Sequence, residues 1–359
     1  MPIFMDRHDL PDVVTAEHVA GIHQADLEIE HEFGCKGLTY WFDDNRNAGF
    51  CLIEAPNKEA LVDMHNKAHG GIPTKIIEVD DRLVDSFLGR LKDPQVTEDS
   101  DFKFVDSAFR TLMVINSIDK NEESYQSIDA DLSDSIKNIK KIIQSFDGNI
   151  VKMNNQSLLV SFSSVVKAVH CAIKLSIKKS SSSNKIKIGL NAGQPVDKGE
   201  KLFEETILLA KRLCKVVKGD VIVSSKVMQL YIDSSVKDSS KLKILASLNP
   251  EEEIFLSQFI DYIEKNYTNP LLKVEDLNKA LGKSNSQLYR KLIDLTGKSP
   301  SNFLKELRLF KALDLIKNQK GNISQIAFET GFNSLSYFSK CFQKLYGILP
   351  SEYQKSVLD

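Results

Sequence analysis

Residues 274–297 read VEDLNKALGKSNSQLYRKLIDLTG, and their spacing predicts two short helices around a tight turn. Val274, Leu277, Ala280 and Leu281 form one apolar face, and Gly282 can close that helix in the left-handed region. Ser284 has the chemistry of a helix N-cap, and the helix it starts carries Leu288, Leu292 and Leu295 on one side. Two short helices joined through a glycine are a helix-turn-helix. With the leucines inward, Ser286, Tyr289, Arg290 and Ile293 face outward and Asn285 stands at the helix entrance. Hydroxyl, amide and guanidinium groups on one face suit base edges and phosphates in a major groove.

The pattern returns at 322–354, NISQIAFETGFNSLSYFSKCFQKLYGILPSEYQ. Ile323, Ile326 and Ala327 mark a first helix, Gly331 a turn and Ser334 a second cap. Phe338, Cys341, Phe342 and Leu345 are expected inward, and Asn333, Ser336, Tyr337, Lys340 and Lys344 outward. Between the units, SNFLKELRLFKALDLIKN (301–318) reads as one longer amphipathic helix that fixes their separation. Two recognition helices on such a spacer can reach successive major grooves, about 34 Å apart. Most of the outward residues are expected to position the phosphate backbone rather than read bases.

The stretches 284–300, 308–316 and 323–354 closely resemble the DNA-binding domain of AraC-type transcription regulators. The resemblance implies two helix-turn-helix units docked on one DNA face. Its recognition residues here are Asn285, Ser286, Tyr289 and Arg290, then Asn333, Ser336, Tyr337 and Lys340. Asn285 and Ser286 stand where many relatives carry larger or charged groups, which leaves the target sequence open.

Charge divides the chain in the same way. Residues 1–92 hold 9 Lys and Arg against 17 Asp and Glu, whereas residues 265–359 hold 15 against 8. The acidic end also holds six of the seven histidines, and only His170 lies elsewhere. The five cysteines are scattered without a CxxC pair and are expected as reduced, buried thiols. No signal peptide or membrane span is visible in the sequence, so a cytoplasmic protein is expected. Three domains follow, at 1–92, 108–232 and 251–359. The polar stretches 93–101 and 233–241 read as linkers, and the run 178–185 as a loop.

From residue 110 the chain alternates strand and helix in an α/β arrangement. GNIVKMNNQSLLVSF (148–162), AVHCAIKLS (168–176), IGLNAGQPV (188–196) and LLAKRLCKVVKGDVIVS (208–224) resemble the class III nucleotide cyclase domain. Such cyclases hold two divalent cations on a pair of aspartates. The matching positions here are Asn116 and Gln156, and neutral amides cannot balance two dications and a polyphosphate. Leu208 replaces the ribose-positioning asparagine, and Arg212 matches the transition-state arginine. A cyclase-like domain without cyclase chemistry is expected, serving as dimerisation unit, ligand sensor or spacer.

At the front, strand, helix, two strands, helix and strand give βαββαβ, the ferredoxin-like plan. His65 and His69 are i,i+4 neighbours near a helix end, a spacing at which two imidazoles can share a cation. His8 shares one side of the first strand with Asp6. His23 and Asp26 are i,i+3 neighbours on the first helix. Mixed imidazole and carboxylate donors suit nickel, zinc and similar divalent ions, and affinity alone would not select among them. MDRHD (5–9), HQADLEIE (23–30), LTYWFDD (38–44), FCLIEAP (50–56), HNKAHG (65–70) and IIEV (76–79) resemble a small nickel-binding ferredoxin-like family. That resemblance places His8, His23, His65 and His69 at motif positions, with Asp26 beside them. His18 and His31 read as solvated helix residues.

The sequence thus predicts a multidomain α+β chain: a ferredoxin-like metal sensor, a cyclase-like connector and an all-α double helix-turn-helix reader. The expected function is transcription regulation by a homodimer on promoter DNA, controlled by nickel, zinc or a small ligand. The alternative is a nucleotide cyclase-type enzyme fused to a DNA-binding tail.

Overall fold

The computed structural model describes residues 1–93, 107–118, 129–153, 157–177, 185–234 and 242–358. Gln156, most of the two linker stretches and nearly all of the run 178–185 lie outside the described residues. The front domain comprises β1 (Ile3–Asp9), α1 (Ala16–Ile29), β2 (Lys36–Asp43), β3 (Ala48–Glu54), α2 (Lys58–Ala68) and β4 (Lys75–Val79), followed by α3 (Asp81–Leu88). Its sheet has the order β2-β3-β1-β4. Thr15 caps α1 by accepting from the His18 backbone N–H, and the His18 imidazole accepts from the Thr15 backbone N–H at 3.1 Å. His18 therefore closes a capping box.

Side-chain alternation gives the front sheet two different faces. Phe4, Cys51 and Ile53 pack with Leu61 and Met64 of α2. Met5, Trp41, Phe50, Leu52 and Ile77 point the other way, into a cluster completed by Val84, Phe87 and Leu88 of α3.

The middle domain repeats the plan. β5 (Arg110–Ile118), α4 (Asp129–Gln144), β6 (Asn149–Met153), β7 (Ser157–Phe162), α5 (Val165–Ile177) and β8 (Lys185–Gly193) are again βαββαβ. They are followed by α6 (Glu204–Val216), β9 (Val221–Val223), α7 (Ser225–Asp233) and β10 (Leu245–Ser247). The sheet order is β10-β9-β8-β5-β7-β6, so β8-β5-β7-β6 repeats the front domain's β4-β1-β3-β2. Met113 and Ile115 face α5, whereas Leu112 joins Met5 and Trp41 in the cluster shared with the front domain. Arg110 fastens this junction from the middle domain, where its guanidinium donates to the Phe87 and Leu88 carbonyls at the end of α3 (3.1 Å each). Ser161 Oγ adds a bond to the Phe87 carbonyl at 2.9 Å.

The tail is all-helical: α8 (Pro250–Asn266), α9 (Val274–Leu281), α10 (Asn285–Thr296), α11 (Pro300–Lys317), α12 (Ile323–Glu329), α13 (Leu335–Tyr346) and α14 (Pro350–Leu358). No helix among the described residues is long and apolar enough to cross a membrane. Cys35, Cys51, Cys171 and Cys214 are buried free thiols, and Cys341 is half-buried.

Candidate metal centre and nucleic-acid interface

The front domain gathers its titratable groups between the sheet and its two helices. β1 contributes Asp6 and His8, α1 buries Val19, His23 and Asp26 on one face, and α2 buries Leu61, Met64 and His65. His65 is the hub. Its Nε2 meets Asp6 Oδ2 at 2.7 Å and its Nδ1 meets Asp26 Oδ1 at 3.0 Å. His69 Nε2 lies 3.1 Å from His65 Nδ1 and 3.3 Å from Asp26 Oδ1. The Cys51 backbone N–H donates to Asp6 Oδ1 at 2.9 Å, and His8 Nε2 lies 3.6 Å from that oxygen.

Burial sharpens the electrostatics. The His65 side chain is 0 % exposed, and burial alone would favour its neutral form. The hydrogen-bonded Asp26 and Asp6 carboxylates override that and push it up to about 10, which favours the imidazolium form. Burial likewise works against the Asp6 anion, but His8 and His65 beside it hold the carboxyl well below its ordinary range. Asp26 is held low against burial by His65 and His69. Burial raises the Cys51 thiol well above its ordinary value, and the nearby Asp6 charge adds to this.

Two donor groups result, Asp6–His8–Cys51 and Asp26–His65–His69, each with its ligand atoms within 4.8 Å of one another. The Asp6–His65 hydrogen bond joins them. His8 Nε2 and Asp26 Oδ2 are buried without a hydrogen-bond partner. An orphaned buried nitrogen and oxygen in one cluster are the atoms a cation would satisfy. Imidazole, carboxylate and thiol together suit a borderline divalent ion.

His8, Asp26, His65 and His69 are thus brought together, and His23 is placed apart from them. Its Nε2 bonds Asp93 Oδ2 at 2.9 Å and its ring packs on Tyr40 with centroids 4.8 Å apart. Helical spacing put His23 on the same buried face as Asp26, and the acidic partner beyond α3 gave no sequence signal. Asp6 and Cys51 are the donors that the candidate set lacked. Asp6 was legible as the i−2 neighbour of His8. Cys51 depended on the pairing of β1 with β3, which a sequence does not print.

In the tail, Ser284 and Ser334 cap the two second helices by accepting from the Gln287 and Tyr337 backbone N–H groups. Gly282 ends α9 at φ 59°. Leu288, Leu292 and Leu295 are buried in the first unit, as are Phe338 and Phe342 in the second. Leu345, expected inward, is 45 % exposed because it lies at the last turn of α13, past the face that Phe338 and Phe342 bury. Asn285, Ser286, Tyr289, Arg290, Asn333, Ser336, Tyr337, Lys340 and Lys344 all lie exposed on the two units. The guanidinium of Arg308, on α11, donates to the carbonyls of Tyr267 (2.8 Å) and Asn269 (2.7 Å). A Cβ at Gly331 (φ 86°) would stand 2.3 Å from the Tyr267 oxygen, so this turn accepts only glycine.

Comparisons with known proteins fall on these two ends. Residues 4–79 match the family "Nickel responsive protein SCO4226-like", and residues 277–356 match a helix-turn-helix domain family. The chain is 39% identical over 103 residues to "Histidine kinase P4" of Formosa agariphila, covering 29% of this chain and 8% of that protein. It is 36% identical over 95 residues to the HTH-type transcriptional activator RhaS of Mannheimia succiniciproducens, covering 26% of this chain and 35% of that one. Solved SCO4226 from Streptomyces coelicolor A3(2) is 32% identical, with 21% of this chain and 94% of that chain covered at a TM-score of 0.21. An AraC-type regulator structure from Chromobacterium violaceum is 29% identical, with 30% and 96% covered at a TM-score of 0.28. Residues 277–356 are therefore similar to the helix-turn-helix domain found in HTH-type transcriptional regulators, and residues 4–79 to the nickel-responsive SCO4226-like family.

Proposed function

We propose that this protein is a metal-responsive transcription regulator that binds promoter DNA through its tail. The observation that carries the reading is a pair of capped helix-turn-helix units, apolar faces buried and polar faces exposed, in a region of formal charge +7. Arg290, Lys340 and Lys344 would meet phosphates or guanine edges, and the amides and hydroxyls beside them would fix register. At the front, Asp6, His8, Asp26, His65 and His69 would hold a divalent ion, nickel or zinc, with Cys51 as a further donor. A bound dication would replace the His65 proton as the partner of two buried carboxylates. His23, held by Asp93 at its Nε2, would take no ligand role.

The middle domain is assigned no cyclase reaction. Asn116 is an amide at the end of β5, and Arg212 donates to Asp261 of α8. A homodimer on DNA completes the reading.

The test is a pair of measurements on the full-length chain. Calorimetric titration with Ni(II) and Zn(II) should show binding that His65→Ala/His69→Ala abolishes. Retardation of genomic fragments should be sequence-selective and weaken with salt. Equal retention of genomic and scrambled DNA at every salt concentration would remove the DNA reading.

A further inference from the structure

We propose that the middle domain clamps the first of the two reading units and leaves the second to itself, so that regulation is selective for one half-site. The proposal rests on the DNA reading of the tail given above. The buried cores of the two units differ. Leu213, Val217, Ile222 and Leu248 of the middle domain share one buried cluster with Leu288, Leu292 and Leu295 of α10. Among the described residues, the second unit's buried cluster runs from Leu309 to Tyr353, with Val357 packed against it, all within the tail.

The hydrogen bonds from the middle domain to α8 and α10 follow the same division, and beyond them Lys215 of α6 stands over the Phe310 ring of the spacer helix α11 at 5.1 Å. The Arg212 guanidinium donates to Asp261 of α8. The Lys218 backbone N–H donates to the Leu295 carbonyl, in the last turn of α10, at 2.8 Å. Ser225 Oγ donates to Glu253 of α8 at 3.2 Å. The first recognition helix is thus held at its C-terminal end, while Asn285, Ser286, Tyr289 and Arg290 at its other end remain exposed. A clamp at that end is compatible with groove entry, and it removes orientational freedom that binding would otherwise cost.

The clamp is continuous with the front domain through α6. Phe203, the residue before α6, is fully buried with its ring 5.0 Å from that of Phe87. It sits at φ 54°, a conformation that a bulky residue keeps only where its surroundings impose it. The helix lies directly on β8, where a Cβ at Gly189 would stand 2.3 Å from the Ala210 carbonyl oxygen. At its far end are Arg212 and Leu213, in contact with the reader. One stiff helix therefore joins the sensor junction to the first reading unit, and a shift of Phe87 would be passed along it.

The experiment is hydroxyl-radical footprinting of the full-length, metal-free protein on a fragment selected from genomic DNA. Arg290→Ala and Lys340→Ala assign each half of the footprint to its unit. Arg212→Gln and Asp261→Asn should each weaken protection of the first half by about fivefold, what a partly exposed ion pair supports, and leave the second half unchanged. Asp261 is exposed, so Asp261→Asn keeps the fold even where Arg212→Gln does not. Added Ni(II) should alter protection in the first half alone. Equal loss in both halves, no loss, a gain in the first half, or a Ni(II) effect centred on the second half would each overturn the clamp. A wild-type chain without any footprint would instead strike down the DNA reading itself, and the clamp with it.

Discussion

Replacing His65 with alanine isolates the physics of the front domain. Asp6 and Asp26 are 0 % and 2 % exposed, and the His65 side chain that faces both is 0 % exposed. Removing it leaves Asp6 with the Cys51 N–H and His8, and Asp26 with His69, while both carboxylates stay buried. Stranding a buried charge costs about 3–5 kcal/mol, and the vacated volume adds to it. Trp41, the sole tryptophan, is fully buried on the opposite face of the same sheet, so its fluorescence follows this domain through a urea titration of the full chain. The metal-free variant should lose roughly 4 kcal/mol at pH 7 and regain part of it at pH 5, where its carboxyls take up protons. In the wild type, His65 is raised from 6.5 to about 10 on folding. Its contribution is complete below pH 6.5 and falls away as pH rises toward 10, by at most about 1.4 kcal/mol per pH unit. A variant within about 1 kcal/mol of the wild type, or a wild type flat between pH 7 and 9, would refute the imidazolium between two carboxylates.

Other expected outcomes follow from the same geometry. Ni(II) binding should release about one proton near pH 8, read as a buffer-dependent enthalpy, because the ion must displace the one His65 shares with its carboxylates. Arg290→Ala should cost about 1–3 kcal/mol in DNA affinity if it reads a guanine edge, or lower the salt slope by about 1 if it meets a phosphate. Gly331→Ala should destabilise the second reading unit by about 1–3 kcal/mol, seen as faster proteolysis within residues 322–354, since both φ and the Tyr267 carbonyl oppose a Cβ.

Much of the tail was legible because its signals are local. Ser284, Ser334 and Gly282 act within one or two turns of where they stand, and leucines at helical spacing report their buried face directly. Leu345 shows the limit of that rule, since periodicity continues past the point where a partner surface ends. The front domain's plan was also readable, and so was most of its histidine cluster.

What the chain's own order of residues determined was the kind of element, the capped turns, the acidic front and the basic tail, since propensity, capping and charge act between near neighbours. Only tertiary structure decided that Cys51 stands beside Asp6, that His23 goes to Asp93, and that Arg212 serves Asp261. It alone revealed a second βαββαβ sheet packed against the first, with cores crossing segments that sequence separates. Each of these depends on strand register or on a contact between residues dozens of positions apart, and apolar composition is blind to which surface will cover it.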